Sequence, residues 1–195
     1  MQRLHLSIDG SLETGRLRSY SIGTMNSGFY VSAAAGLMSV LLPLSAQVRR
    51  SRCVKPPKAS AGATADARGF VGAAFRTNAD GSKYECFYIR PTNGRAEDQL
   101  RRNHSTQYIS FPDYEWNRLR TETPGKYESY VDLVPGKRTR LKIVVNGTKA
   151  QLYVNGAAQP VLIVNDLKLG DTTGAIALWV GVGTEAYFAD LRVSH

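Results

Sequence analysis

The sequence predicts an all-β protein, an antiparallel two-sheet sandwich or jelly roll, and three observations carry that prediction. From Phe70 onward apolar residues recur close to every second position, the period of a strand with one buried face. Asn-Gly pairs at Asn146-Gly147 and Asn155-Gly156 separate such runs, and these two residue types tolerate the positive φ that tight hairpin turns demand. No stretch combines helical spacing with capping residues.

The elements follow in chain order. Residues 1–46 form an N-terminal segment, with no charge between Ser19 and Val48. Its apolar heart, "GFYVSAAAGLMSVLLPLSA" (28–46), follows Arg16 and Arg18 and ends in small residues, as a secretory signal run does. That reading expects a secreted or periplasmic protein. Gly, Ser and Pro43 dilute the run too far for a stable membrane span. The alternative is that 1–46 supplies extra strands, "RLHLSIDG" and "RLRSYSI" among them. Residues 47–68, rich in Arg, Lys, Pro and Ala without periodicity, read as a basic linker. Residues 69–195 are the sandwich domain, which lacks recognisable first strands unless the N-terminal segment provides them.

Within that domain "FVGAAFR" and "KYECFYIR" flank the turn "TNADGS". Residues 91–126 read as one long ordered connection, of the kind that often carries function on a β scaffold. "YESYVDL" (127–133) alternates as a strand. "TRLKIVV" and "KAQLYV" make a hairpin, and "AIALWVG" and "AYFADLRV" close the chain. "AIALWVG" is apolar on both faces, which places Trp179 in the core.

The net charge of +9 raises the question of nucleic acid. Residues 1–68 carry nine Lys/Arg against three Asp/Glu, and residues 69–195 carry sixteen against thirteen. Most of the excess therefore precedes the folded domain, which shows no basic stripe of the kind a phosphate backbone needs. Nucleic acid is not an expected partner. Two cysteines, Cys53 and Cys86, are too few for a disulfide framework, and Cys86 reads as a small packed residue.

Two quoted segments carry a family likeness. "RLKIVVNGTKAQLYVNGAAQPVLIVNDLKLG" followed by "GAIALWVGVGTEAYFADLRV" resembles the back half of a concanavalin A-like, laminin G-like jelly roll. With "FVGAAFR" and "KYECFYIRPTNGR" the chain resembles the bacterial 3-keto-disaccharide hydrolase-like domain family over roughly residues 69–193. The resemblance implies carbohydrate as the partner and action on glycosidic bonds of 3-keto-disaccharides. A non-catalytic laminin G-like binding or adhesion module is the alternative.

The stretch "YECFYIRPTNGRAEDQLRRNHSTQYIS" (84–110) concentrates forked and planar polar groups beside aromatic rings, the mixture that sugar recognition uses. On a strand, Tyr84, Cys86, Tyr88 and Arg90 share one face. The candidate ligand-binding residues are Arg90, Asn93, Arg95, Asp98, Gln99, Arg102 and His104 as a polar rim, with Tyr88 and Tyr108 as sugar-facing rings. The plainer reading pairs Arg95, Arg101 and Arg102 with Glu97, Asp98, Asp113 and Glu115 in a surface network. Trp116 is either a plug that pins the connection or a sugar platform.

No catalytic residue is assigned. Hydrolysis by two carboxylates needs them about 5–9.5 Å apart. Glu128 and Asp132 share a strand face but lie roughly 13 Å apart along it. Glu85 with Glu128, from different strands, is a pair the sequence cannot place. His104 stands alone, without the spacing of a zinc site. Asn165-Asp166 and Asp171 read as turn chemistry ahead of a calcium loop. Neither a metal nor a cofactor is expected.

Overall fold

A computed structural model describes residues 69–181 and 184–194, together with four strands at 2–9, 21–25, 28–33 and 40–41. Two antiparallel sheets face each other. The seven-stranded sheet runs β11 (Leu162–Val164), β10 (Lys149–Val154), β9 (Arg138–Asn146), β1 (Gln2–Asp9), β13 (Thr184–Ser194), β3 (Gly28–Ala33), β2 (Ser21–Met25). The six-stranded sheet runs β4 (Val40–Leu41), β12 (Ala175–Val180), β5 (Val71–Thr77), β6 (Tyr84–Ile89), β7 (Thr106–Phe111), β8 (Glu128–Ser129). The fold class read from the sequence is the one observed. Strands β1 to β4 come from residues 1–46, with β3 and β4 inside the apolar run. Cys53 and the segment read as a linker (47–68) lie outside the described residues.

The period-two pattern builds the β9–β10–β11 ribbon. Leu141, Ile143, Ala150, Leu152, Val154, Leu162 and Val164 point inward and are buried. Asn146 pairs with Lys149 across the first turn. At the second turn Asn155 (φ 53°) and Gly156 (φ 77°) both take the left-handed conformation, and Ala157 N donates to Val154 O at 3.1 Å. From the facing sheet come Phe87, Ile89, Tyr108, Leu178 and Val180, all fully buried.

Residues 91–126 are not one loop. They fold into α1 (Pro91–Gly94), α2 (Gln99–Asn103), strand β7 and α3 (Trp116–Glu122). Strand β7 is buried on both faces although it holds Thr106, Gln107 and Ser110. Thr106 Oγ1 donates to Ser129 O at 2.9 Å, and Gln107 Nε2 donates to Tyr108 O and Tyr127 O at 3.0 and 3.1 Å. These bonds satisfy polar groups that would be costly to bury bare. The expected strand 127–133 shrinks to Glu128–Ser129, because Val131 N donates instead to the Ser105 hydroxyl at 2.7 Å. Among the described residues no helix is long and apolar enough to cross a membrane.

Candidate functional site

Strand register assembles one row across the six-stranded sheet. Trp179 on β12 lies opposite Gly72 on β5, Gly72 opposite Tyr88, Tyr88 opposite Gln107, and Gln107 opposite Glu128. Directly opposed residues share a face. Glu85, Phe87 and Tyr108, on the alternate phase, point between the sheets, so this row lies on the outer face.

Gly72 makes the aromatic end of the row. A Cβ there would stand 2.1 Å from Phe87 O and 2.8 Å from Tyr88 Cβ. With only hydrogen in that position, the rings of Trp179 and Tyr88 stack over it, 4.8 Å apart and 21° from parallel. Trp179 Nε1 also reaches the Tyr84 hydroxyl at 3.4 Å. Trp179 is therefore half-buried on the outer face and not in the core between the sheets as expected. Phe70 meets Tyr88 edge-on at 5.8 Å, and the Arg90 guanidinium lies 5.0 Å over the Phe70 ring.

The other end of the row is polar. Glu128, with its side chain 7% exposed, accepts from Arg120 Nη2 at 2.7 Å and Nε at 3.0 Å. Arg120 Nη2 also donates to Gln107 Oε1 at 3.4 Å. His104 Nδ1 lies 2.6 Å from Glu128 Oε2, close to the carboxylate but outside hydrogen-bond alignment. Arg120 stands on α3 one turn after Trp116, so the two share a helix face. Its guanidinium sits 5.0 Å from the Trp116 ring centre, and Trp116 is 47% exposed. A flat ring open to solvent thus adjoins a guanidinium bonded to a carboxylate and an amide, with an imidazole beside them.

The sequence-predicted residues divide. Tyr88, Arg90 and His104 border this row. Asn93 is buried, and its Nδ2 donates to His104 O at 3.4 Å. Arg95 forms a two-pronged exposed pair with Asp132, at 2.9 and 3.2 Å, and not with the carboxylates suggested for it. Asp98 caps α2 by accepting from Leu100 N at 2.9 Å, and Gln99 bonds Asn103 one turn on. Arg102 Nε donates to Ala96 O. These four side chains serve local structure and do not converge on a common point.

Tyr108 is a correction. Its side chain points between the sheets at 0% exposure, so no sugar can meet its ring. Tyr88, at 2%, is likewise covered, with its ring already stacked on Trp179. The Tyr108 hydroxyl donates to Glu85 Oε1 at 2.7 Å and accepts from Lys168 N at 3.0 Å. Burial first, then the Glu85 carboxylate, pushes that phenol far above its ordinary pKa. Glu85 accepts in addition from Leu169 N at 3.1 Å and from Arg76 Nη1 at 3.2 Å. Arg76 reaches on to Gly170 O and, at 2.6 Å, to Gly147 O. This buried cluster ties the six-stranded sheet to the turns of the facing ribbon.

Glu85 and Glu128 consequently sit on opposite faces of one sheet, and Asp132 belongs to Arg95. No pair of carboxylates considered from the sequence stands ready for hydrolysis. Asp166 is engaged by Tyr127 Oη at 2.6 Å, Lys126 Nζ at 2.9 Å and Lys168 Nζ at 3.0 Å, and two ammonium groups disfavour a calcium ion there. Cys86 is unpaired and buried, its thiol pushed up by desolvation.

No protein-family model matches the chain, and no curated protein matches it. Two solved structures similar to it are sheep galectin-11 in complex with glycerol and the carbohydrate-binding module CBM66 from Bacillus subtilis. Each superposes with a TM-score of 0.45 at 10% identity. The galectin match covers 99% of this chain and 89% of the galectin; the module match covers 91% of each.

Sequence reasoning missed Arg120 and Gln107 and considered Glu128 only as one member of a carboxylate pair. One signal was present: Trp116 and Arg120 stand four apart in "EWNRLRTE", the spacing that stacks side chains on a helix.

Proposed function

We propose that the chain is a carbohydrate-recognising module whose sugar lies against Trp116 and is held by Arg120 and His104, with the buried Glu128 and Gln107 orienting Arg120 from behind. One observation carries this: a half-exposed indole directly beside an arginine hydrogen-bonded to Glu128 and Gln107, with His104 adjoining. The indole offers an apolar face to the axial hydrogens of a pyranose, and the polar set offers donors and an acceptor to its hydroxyls. The Arg120–Glu128 pair fixes the guanidinium plane before any ligand arrives, which lowers the ordering cost of binding.

Binding is favoured over cleavage because Glu128 has no second carboxylate among its described partners. The oxidised disaccharides that the family resemblance implies are nevertheless the first ligands to test. A location outside the cytoplasm is part of this reading and rests on the apolar run 28–46. Because β3 and β4 lie in that run, the intact mass of exported protein checks both location and processing at once.

A glycan array followed by calorimetry tests recognition. Trp116→Ala should weaken the best glycan about tenfold, equivalent to about 1.4 kcal/mol. Glu128→Gln should weaken it further by releasing Arg120. An array without binding, or a Trp116→Ala variant that binds like the parent, overturns the proposal.

A further inference from the structure

The opposite side of the molecule carries a second surface that this sugar site does not explain. From Pro135 to Val164 the chain holds Lys137, Arg138, Arg140, Lys142 and Lys149 and not one Asp or Glu. Those residues are the ribbon β9–β10–β11. Along β9 the buried positions are Thr139, Leu141 and Ile143, so Arg138, Arg140 and Lys142 alternate outward. They step by about 6.8 Å along a straight strand. Lys142 Nζ sits 3.7 Å over the ring of its cross-strand partner Tyr153. On the neighbouring strand the positions opposite Val144, Lys142, Arg140 and Arg138 are Arg3, His5, Ser7 and Asp9, and Arg192 on β13 lies opposite His5. The basic residues of this ribbon thus share one sheet face, although the net charge of the domain is modest.

We propose that the outer face of the seven-stranded sheet binds a linear acidic polysaccharide through Arg140, Lys142 and Lys149. A regular ladder of cations, on a ribbon that holds no Asp or Glu, meets several charges of such a polymer at once. Nucleic acid fits the same face poorly. Single strands need open aromatic faces for base stacking, and the Tyr153 ring is occupied by Lys142. A duplex needs an element that enters a groove, which a flat sheet face lacks.

The test uses the full chain against heparin (sulfated), polygalacturonate (carboxylated), neutral dextran and a DNA duplex, in a salt series. The expected result is binding of heparin or polygalacturonate that weakens steeply with salt, with dextran unbound on this face. Arg140→Glu with Lys142→Glu should raise the Kd at least tenfold, while Trp116→Ala leaves it unchanged. Lys149→Glu, at an exposed turn position, serves as the second variant, with an expected loss of several-fold and an unchanged melting temperature. The proposal is overturned if neither acidic polymer binds at low salt, if the charge reversals bind like the parent, or if DNA binds more tightly. Because the two sites lie on different sheets, failure here leaves the neutral-sugar reading standing, and the reverse also holds.

Discussion

Glu85 is fully buried and charged, and it is tolerated only because Arg76, the Tyr108 hydroxyl and Leu169 N surround it. Removing one partner from a buried pair leaves an uncompensated charge, so Arg76→Met is expected to destabilise the fold by about 3–5 kcal/mol. Arg95→Ala removes a pair in which both side chains are more than half exposed and screened by solvent, and should leave stability almost unchanged. Urea denaturation of the two variants checks the contrast, and equal losses would show that the interior cluster is not what binds the sheets. Asp166 supplies a pH test. Burial opposes its ionisation, but the Tyr127 hydroxyl, Lys126 and Lys168 outweigh that and hold its pKa at about 2, below the ordinary 3.8. A carboxylate with a depressed folded pKa stabilises fully above its unfolded value, and that contribution is lost as pH falls from about 3.8 toward 2. Asp166→Asn should therefore flatten the stability profile in that window. The change should be under about 1 kcal/mol, since the side chain is well exposed to screening solvent. None of these roles was legible in sequence. Glu85 reads as any alternating strand residue until the register of β5, β6 and β7 shows which side it faces.

The strands with one buried face were legible, because period two is a direct record of pleat geometry: β9 and β10 stand close to where the alternation puts them. Strand β7 was not, because it is buried on both faces and therefore shows no alternation, and its polar residues imitate a loop. Helices α1, α2 and α3 span four, five and seven residues, too short for a 3.6-residue period to emerge. The cap of α2 by Asp98, the Pro91 start of α1 and the Trp116–Arg120 spacing of α3 are the marks the sequence holds. The candidate site shows the same division. His104 and Arg90 stood out by residue type, whereas Gln107 and Arg120 became visible only once β7 and α3 existed. Gly72 offers the test at this scale. Gly72→Ala forces the added methyl into Tyr88 and the β6 backbone, with an expected cost of about 1–3 kcal/mol and separation of the Trp179–Tyr88 stack. Tryptophan fluorescence and thermal unfolding together report it. Unchanged emission and stability would mean that the row tolerates a side chain and is not held by close backbone approach.

Across the whole molecule, the N-terminal strands bridge segments far apart in sequence. Strand β1 pairs with β9 on one side and β13 on the other. A chain beginning at residue 47 would expose both ladders as open edges, a state that invites aggregation. Such a truncation is expected to be insoluble or to melt far below the parent, and light scattering with calorimetry decides it; a soluble, equally stable truncation would show that β1 is dispensable. The sequence by itself determined the fold class, the β9–β10 hairpin and the small packed role of Cys86, because periodicity, turn chemistry and residue volume act locally. Tertiary structure alone decided that Glu85 and Glu128 lie on opposite faces and that Trp179 lies outside and Tyr108 inside. The physical reason is register: a one-residue shift in pairing exchanges the two faces of a strand, and pairing between distant strands is fixed by the packing of the whole.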